Sequence, residues 1–526
     1  MKRNINQKLR KILSVGSIGL AGFFGAACTD DFDTMNKSKT ALVVLTPAEY
    51  PKLFSHALSQ GSYHPSYQTA TNLFADLYAQ YFATTTANFQ SDRYFTNMSW
   101  INSHWNPIYI QVVPQLKTLF ESYDPNSAEY SLASIWWVFS FHRVTDYYGP
   151  IPYFDAGVPA QSVKYDAQDV IYDDFFKRLD AAVAILKSKT AEKPFGGSDI
   201  MYAGDVNKWI KFANTLRLRL ALRISKVDPA RAKKEAEAAV AAGVLTTATD
   251  DAMMVRTAVS SADANGLSRI AAWGEFRMSA TMESILKGYN DPRMAQFFQP
   301  AFNTKTYEGV RNGLSPAQLI EPLNTNDNNS NIGARWVRNT GTGSGWENLL
   351  AVKADIMHAA EAHFLKAEGA LNGWNMGTGT AQSFYEEGIR QSMATWGFSG
   401  AVVETYINGT TPPIAPGDSQ NSPAVSNIPV KWGATPAIQR EQIGTQKWLA
   451  LYPDGCEAWA EFRRSLFPKL YHVVNSVNPD VPNTAFIRRF PFIDSEKANN
   501  KVAVTDAVKL LNGPDKASTA LWWDKN

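Results

Sequence analysis

Apolar residues recur every three to four positions along much of this chain, which is the spacing of one face of an α-helix. The segment 209–224 shows the pattern clearly, with apolar residues at Trp209, Phe212, Leu216, Leu220 and Ile224. Arg217 and Arg223 lie off that face, where a helix on the surface of a protein carries its charges. The two-residue alternation that is typical of strands is scarce. The pattern predicts an all-α protein.

Helical segments come in pairs. Asp228 and Pro229 are typical of a helix start, and they introduce a second helix over 230–242 that Gly243 ends. Further pairs are predicted at 356–371 with 381–393, 132–145 with 170–186, and 439–451 with 456–466. Repeated pairs of this kind resemble degenerate tetratricopeptide repeats, in which each pair packs on the next. We expect the pairs to stack as a right-handed superhelix.

Long segments between the pairs lack helical periodicity and are rich in Asn, Gly, Thr and Ser. They are 84–106, 246–279, 304–348 and 398–435. Irregular segments of this length inside a compact protein are usually functional. We therefore expect these loop insertions to form the ligand-binding face.

The candidate ligand-binding residues lie in the first and third of these segments. Aromatic rings stack on the faces of sugars, and planar polar groups hydrogen-bond to hydroxyls. The candidate stacking rings are Tyr94, Trp100, Tyr307 and Trp336, and the candidate hydrogen-bonding neighbours are Arg93, Asn97 and Arg338. The competing interpretation is that some of these rings only pack the segments onto the helices.

The first 27 residues have the organisation of a lipoprotein signal peptide. Five basic residues precede an uncharged stretch, 12–27, that ends in Gly and Ala directly before Cys28. The stretch is too short and too rich in Gly and Ser for a membrane span of about 20 apolar residues. We predict that residues 1–27 are removed, that Cys28 is lipidated, and that 28–45 form an acidic tether. The alternative is an ordinary secretory signal followed by a chance cysteine.

Composition limits which partners, cross-links and domain divisions are expected. The chain has 51 basic and 49 acidic residues, and removal of the five basic residues of the signal leaves the acidic ones in excess. With no basic run, nucleic acid is not an expected partner. Cys456 is the only cysteine besides Cys28, so a disulfide framework is excluded. No linker divides the chain, which predicts a single domain over 46–526 with loop insertions at about 246–350 and 398–435.

No sequence signature of a metal, a cofactor or a catalytic centre stands out. His358 and His363 are five residues apart and would point about 140° apart on a helix, unlike the four-residue spacing of paired zinc ligands. The run 326–329 contains one carboxylate, Asp327, which is little charge for a calcium site. A carboxylate pair for glycoside hydrolysis stays open, because any two acidic residues can meet in space. We predict no catalytic residue, no metal and no cofactor.

Six motifs follow one another along the mature chain. They are DYYGPIPY at 146–153, GYNDPR at 288–293, EAHFLKAE at 361–368, QKWLALY at 446–452, EAWAEFRR at 457–464 and IRRFP at 487–491. In identity and order they resemble the motifs of the SusD/RagB family of nutrient-binding outer-membrane lipoproteins. The motif residues themselves suit structural roles, since Pro and Gly end helices and the apolar residues face inward.

The resemblance implies a lipid-anchored protein on the exterior of the outer membrane. Such a protein captures a nutrient, usually a glycan, and caps a TonB-dependent, SusC-like transporter that takes up the ligand. Family members bind ligand through variable loops, so the resemblance assigns no binding residue here. Two alternatives stay open, a cap for a non-carbohydrate nutrient such as a peptide and, less favoured, a glycan-processing enzyme.

Overall fold

α-Helices carry most of the fold in the computed structural model, which describes residues 45–340 and 345–526. They are α1 (Tyr50–Gly61), α2 (Met98–Asn106), α3 (Val113–Ser122), α4 (Ala128–Tyr148), α5 (Gln168–Leu186), α6 (Val206–Arg223), α7 (Pro229–Ala242), α8 (Gly266–Ile270), α9 (Ala280–Gly288), α10 (Met294–Phe297), α11 (Pro316–Leu319), α12 (Ala359–Leu371), α13 (Ala381–Thr395), α14 (Ala401–Ile407), α15 (Pro436–Leu451), α16 (Gly455–Ser465), α17 (Asp494–Asn499) and α18 (Lys501–Val508). Two π-helical stretches, Gln68–Asp76 and Pro107–Val112, flank α2. The predicted all-α class is confirmed.

The strands within these ranges are short and pair two by two. They are β1 (Phe82–Thr84), β2 (Ala252–Met254), β3 (Phe276–Met278), β4 (Val337–Asn339), β5 (Trp346–Asn348) and β6 (Ala354–Met357). β1 pairs with β3, β2 with β6, and β4 with β5, all antiparallel. The β1–β3 and β2–β6 ladders join segments that are distant in sequence, whereas β4 and β5 are near neighbours along the chain.

The predicted helical pairs are present as tetratricopeptide-like pairs. α4 packs on α5, α6 on α7, α12 on α13 and α15 on α16. Contacts of α5 with α6, α6 with α12 and α12 with α15 join one pair to the next. The right-handed superhelical path stays a prediction.

Local signals set the helix ends as expected in most places. Asp228 caps α7 by accepting a hydrogen bond from the amide of Arg231, and Gly243 ends it with φ +96°. The predicted helix 356–371 begins three residues later, at Ala359, because 354–357 pair with β2 instead. The prediction of an irregular segment at 84–106 is also wrong in part, since residues 98–106 form α2.

The arginines of α6 are buried, in contrast to the amphipathic pattern that the sequence suggests. Arg219 donates two hydrogen bonds to Glu361 of α12, at 2.7 and 2.6 Å, and both side chains are almost completely enclosed. Arg223 donates to Glu457 of α16 at 2.5 Å. These ion pairs join α6 to helices of later pairs, so an arginine on a buried face satisfies its charge through residues far along the chain.

The motif residues of α16 belong to the same buried network. Arg464 binds both Glu461 and Glu368, and Lys447 Nζ lies 2.8 Å from Glu461 Oε1. Although burial opposes it, Arg464 and Lys447 hold the pKa of Glu461 well below its usual value. The motif thus has a structural role.

Residues Pro51–Asn526 form one compact unit. In the part of the chain that the structure describes, no helix combines the length and the apolar character needed to cross a membrane. Cys28, the predicted signal peptide and nearly all of the predicted tether lie outside the described residues. The predicted limits of the domain and of its insertions stay predictions.

Candidate ligand-binding surface

The β1–β3 ladder brings the first and second irregular segments to the same edge of the protein. Thr84 pairs with Phe276, and beyond this last pair the amide of Thr85 donates to the carbonyl of Glu275 at 3.1 Å. The Thr85 hydroxyl donates to the carbonyl of Gly274 at 3.0 Å. Residues 85–97 therefore leave β1 directly beside the turn that precedes β3.

The third irregular segment is tied to the same turn. Asn326 Nδ2 donates to the carbonyl of Gly274 at 2.8 Å, and Arg277 Nε donates to the carbonyl of Asn326 at 3.1 Å. On the other side of the turn, the amide of Ala272 donates to Asn348 Oδ1 at 3.0 Å. Both backbone neighbours of Trp273 are thus fixed by hydrogen bonds.

Trp273 itself projects from this turn. Half of the surface of Trp273 is exposed. No other tryptophan of the described residues has so large an exposed fraction. An indole that is open to solvent on a hydrogen-bonded turn offers a flat face to a ligand, with little backbone entropy left to lose.

A polar groove of about 590 Å³ runs along α2, near this turn. Its walls are mostly hydroxyl and amide side chains, from Gln60, Ser66, Ser99, Asn102, Ser103, Asn106 and Gln111, with Pro107 and Ile110 at one end. Two hydrogen bonds connect the groove to the Trp273 turn: Gln68 Nε2 donates to Glu275 Oε2 at 2.6 Å, and the Thr69 hydroxyl donates to Ser103 Oγ at 2.7 Å. Burial raises the pKa of Glu275 above its usual value.

Trp336 and Tyr94 are corrections to the predicted set. Trp336 has no exposed surface and packs edge-on against Tyr452, with ring centroids 5.8 Å apart. Tyr94 is 3% exposed and packs against Tyr78, with ring centroids 5.6 Å apart. Neither ring can stack on a ligand in this structure, because neighbouring core residues enclose both rings.

Trp100 keeps a partly exposed ring, and its two predicted neighbours have structural contacts. Trp100 lies in the first turn of α2 and meets Phe89 edge-on at 5.6 Å. Asn97 caps this helix, since its Oδ1 accepts from the amides of Ser99 and Trp100 at 3.1 and 3.4 Å. Arg93 Nε donates to the carbonyl of Asn475 at 3.1 Å, which fastens the first segment to the C-terminal part of the chain.

Tyr307 and Arg338 also retain solvent exposure. Tyr307 is partly buried, which raises the pKa of its hydroxyl, and it precedes Glu308, whose amide donates to Ser330 Oγ at 3.0 Å. Arg338 is exposed at the centre of β4, opposite Glu347 of β5. The structure joins the predicted residues only in part. Trp100 lies on α2 next to Ser99, which lines the groove, but Trp100 itself does not line it. Tyr307 and Arg338 lie farther along the third segment.

Comparison with known proteins identifies the family. The family model for SusD-like proteins, described as SusD and RagB outer-membrane lipoproteins, matches residues 28–524. The chain belongs to this family. No functionally curated protein matches the sequence.

Solved structures of other SusD-like proteins superpose over nearly their whole length. A chitin-binding SusD homologue from Flavobacterium johnsoniae is 36% identical, with 90% of this chain and 98% of that chain covered and a TM-score of 0.80. A SusD-like protein from Bacteroides thetaiotaomicron is 32% identical, with 91% and 99% covered and a TM-score of 0.79. A SusD homologue from Bacteroides uniformis is 31% identical, with 92% and 100% covered and a TM-score of 0.80.

Sequence reasoning missed Trp273 in this SusD-like protein. The residue lies in the second irregular segment, 246–279, which is predicted to be functional but from which no ring is a candidate. Its signal was the same as that of Trp100, a tryptophan in a polar stretch without helical periodicity. What the sequence does not show is that β1 and β3 bring this segment beside the first one.

The histidines near α12 have structural partners in the SusD-like fold. His358 Nδ1 lies 2.9 Å from Asp251 Oδ2, and His363 Nε2 lies 2.9 Å from the carbonyl of Thr246. Among the described residues, no group of three or more His, Cys, Asp or Glu side chains is arranged to hold a metal ion. Asp327 stands in the short helical turn Asn326–Asn328, whose backbone is fastened to Arg277 and Asn329.

Proposed function

We propose that this SusD-like protein binds an oligosaccharide on the surface formed by Trp273, Trp100 and the groove along α2. The observation that carries the proposal is the exposed Trp273 ring on a turn that hydrogen bonds fix to two loops. An aromatic face beside a row of hydroxyl and amide groups complements a sugar, which has apolar ring faces and polar edges. Tyr307 and Arg338 are candidates for contacts with a longer chain.

The lining of the groove favours a neutral glycan. Its polar side chains are Ser, Asn and Gln, which hydrogen-bond to hydroxyl and acetamido groups without adding charge. The Flavobacterium johnsoniae relative is a chitin-binding protein. Oligomers of N-acetylglucosamine are therefore the first ligands to test.

We further propose that the protein acts as a cap. Cys28 carries the lipid, the folded unit faces the cell exterior, and the bound glycan passes to a TonB-dependent, SusC-like barrel. Family membership and the lipobox before Cys28 support this proposal. The protein binds and delivers its ligand without changing it chemically.

A glycan array probed with the chain 29–526, followed by calorimetry on the best ligands, tests the binding proposal. Saturable binding of an oligosaccharide, with no cleavage products after overnight incubation, is the expected result. Binding only to peptides would favour the alternative nutrient, and release of shortened glycans would establish an enzyme. Co-purification of the lipidated protein with a barrel from detergent extracts tests the cap proposal, and recovery of the protein alone under conditions that preserve other such pairs would contradict it.

A further inference from the structure

A second pocket, of about 390 Å³, lies between α1 and residues 255–263. One wall is a single face of α1. It carries Lys52, Ser55, His56 and Ser59, and each of these has another of the four three or four residues away. The other wall includes Arg256, Thr257 and Asp263, and Ser198 and Ile200 also line the pocket. The lining thus combines two cationic side chains, Lys52 and Arg256, with several hydroxyls.

Arg256 is the unusual member of this pocket. It is 4% exposed, and its guanidinium donates to the carbonyls of Ala264 and Ala262 at 3.2 and 2.5 Å and to Ser59 Oγ at 2.8 Å. Among the described residues no carboxylate lies within 4 Å of it. Burial, which Asp263 offsets only in part, lowers the pKa of Arg256 to about 10. A buried cation without a counterion is costly, and an anion in the adjoining space would relieve that cost.

The charges around the pocket are mainly positive. Lys52 stands at its edge, and Arg269 is near enough to add to the positive field at Arg256. The only carboxylate in the lining is Asp263, which accepts a hydrogen bond from the Ser260 hydroxyl at 2.6 Å. His56 Nε2 donates to Gln111 Oε1 at 3.1 Å, so this ring nitrogen is already paired outside the pocket.

Arg463 shows what a purely structural buried arginine looks like in the same protein. It donates to the carbonyls of Asp146 and Arg488 at 2.7 and 2.8 Å, and its guanidinium lies 3.7 Å from the centre of the Trp459 ring. The cavity beside it measures about 10 Å³, which is too small for an anion. Arg256 has similar carbonyl contacts, but it borders a space of about 390 Å³ that Lys52 also lines.

We propose that this pocket binds a tetrahedral oxyanion, a phosphate or sulfate group, through Lys52, Arg256 and the neighbouring hydroxyls. Tetrahedral oxyanions accept several charge-assisted hydrogen bonds at once, which matches a lining of guanidinium, ammonium and hydroxyl donors. The group comes either from a free anion or from the headgroup of a membrane phospholipid. The headgroup source fits the position of α1, the first helix after the predicted lipid-bearing tether. This site goes beyond glycan binding and does not depend on it.

Titration of the chain 29–526 with sodium phosphate, against sodium chloride at equal ionic strength, tests the proposal. We expect saturable phosphate binding that Lys52→Gln weakens by tenfold or more, with the melting temperature in chloride unchanged. Lys234→Gln, which removes an exposed lysine on α7, is the matched control and keeps the affinity of the parent. Arg256→Lys, which retains the charge, is expected to bind more tightly than Arg256→Gln.

Flotation with vesicles distinguishes the two sources. Binding to phosphatidylglycerol vesicles that free phosphate displaces, and that Lys52→Gln abolishes, would support a headgroup. Phosphate binding without vesicle binding would support a free anion at the same site. The proposal is overturned if phosphate raises neither a binding signal nor the melting temperature, or if Lys52→Gln binds phosphate as the parent does.

Discussion

The amide of Thr85 donates to the carbonyl of Glu275 at 3.1 Å, across 190 residues of sequence. This contact extends the β1–β3 ladder beyond its last strand pair and joins the first irregular segment to the turn that bears Trp273. A second hydrogen bond, from Asn326 to Gly274, adds the third segment. Loops that are fastened at their bases to a helical scaffold present their side chains in a fixed geometry, as a binding surface requires.

Replacing Trp273 by Ala should weaken oligosaccharide binding by about 2 kcal/mol, roughly thirtyfold in affinity. The ring is half exposed, so the melting temperature should change little. Calorimetric titration of the glycan found on the array measures the effect. Trp432→Ala, which removes a partly exposed ring packed 5.0 Å from Tyr385, is the control and should bind as the parent does. Equal affinities for the parent and Trp273→Ala would place the site elsewhere.

Trp336→Ala should instead lower the free energy of unfolding, by about 3–5 kcal/mol, because the substitution leaves a cavity among core aromatic rings. Trp336→Phe should cost less, since most of the contact with Tyr452 and Trp396 is kept. Urea denaturation followed by circular dichroism measures both. A stable Trp336→Ala protein that fails to bind glycan would restore Trp336 as a ligand contact.

Glu361→Gln should destabilise the protein by about 3–5 kcal/mol, because it leaves the enclosed guanidinium of Arg219 without its nearest carboxylate. The double variant Arg219→Met with Glu361→Leu should be more stable than Glu361→Gln, since it removes both buried charges. The exposed pair of Arg390 and Glu404 is the control, and Glu404→Gln should cost at most about 1 kcal/mol. Similar losses of stability at the buried and the exposed pair would contradict the inference that burial makes the loss of Glu361 costly.

Because of the charge on His358, the stability of the folded protein should fall as the pH rises into the alkaline range. Despite the opposing effect of burial, Asp251 and Asp355 raise its pKa from about 6.5 to about 10. A folded-state pKa above the unfolded value means that the folded protein binds the extra proton, so this stabilisation is complete below pH about 6.5 and is lost as pH rises to about 10.

The melting temperature of His358→Gln should therefore fall far below that of the parent at pH 6 and approach it at pH 10. His142→Gln is the control: burial holds the pKa of His142 well below its usual value, so both states are neutral there above pH 7. The difference from the parent should then be constant from pH 7 to 10. A constant difference for His358→Gln as well would show that the ring is uncharged.

Cys28→Ala should give a precursor that keeps residues 1–27 and takes up no lipid, because the acylated thiol is gone. Metabolic labelling with a palmitate analogue and the N-terminal mass of the purified protein measure the two effects. Label on the variant, or cleavage at another position, would contradict the lipobox assignment.

Local patterns along the chain were sufficient for the paired helices and for some of their ends, but not for α2 or the start of α12. The periodicity of 209–224 lies within one helix, and the Asp228, Pro229 and Gly243 signals lie at the ends of the helix that they define. The motif order was likewise sufficient for the family. Such features are readable because the interactions behind them join residues that are close in sequence.

Tertiary structure alone decided which rings are exposed and which charges are buried. Trp273 and Trp336 both stand in polar, irregular stretches, yet one is half exposed and the other is enclosed by Trp396 and Tyr452. Arg219 of α6 pairs with Glu361, which is 142 residues away in the sequence. Exposure depends on which distant segments pack against a residue, and no local periodicity records that.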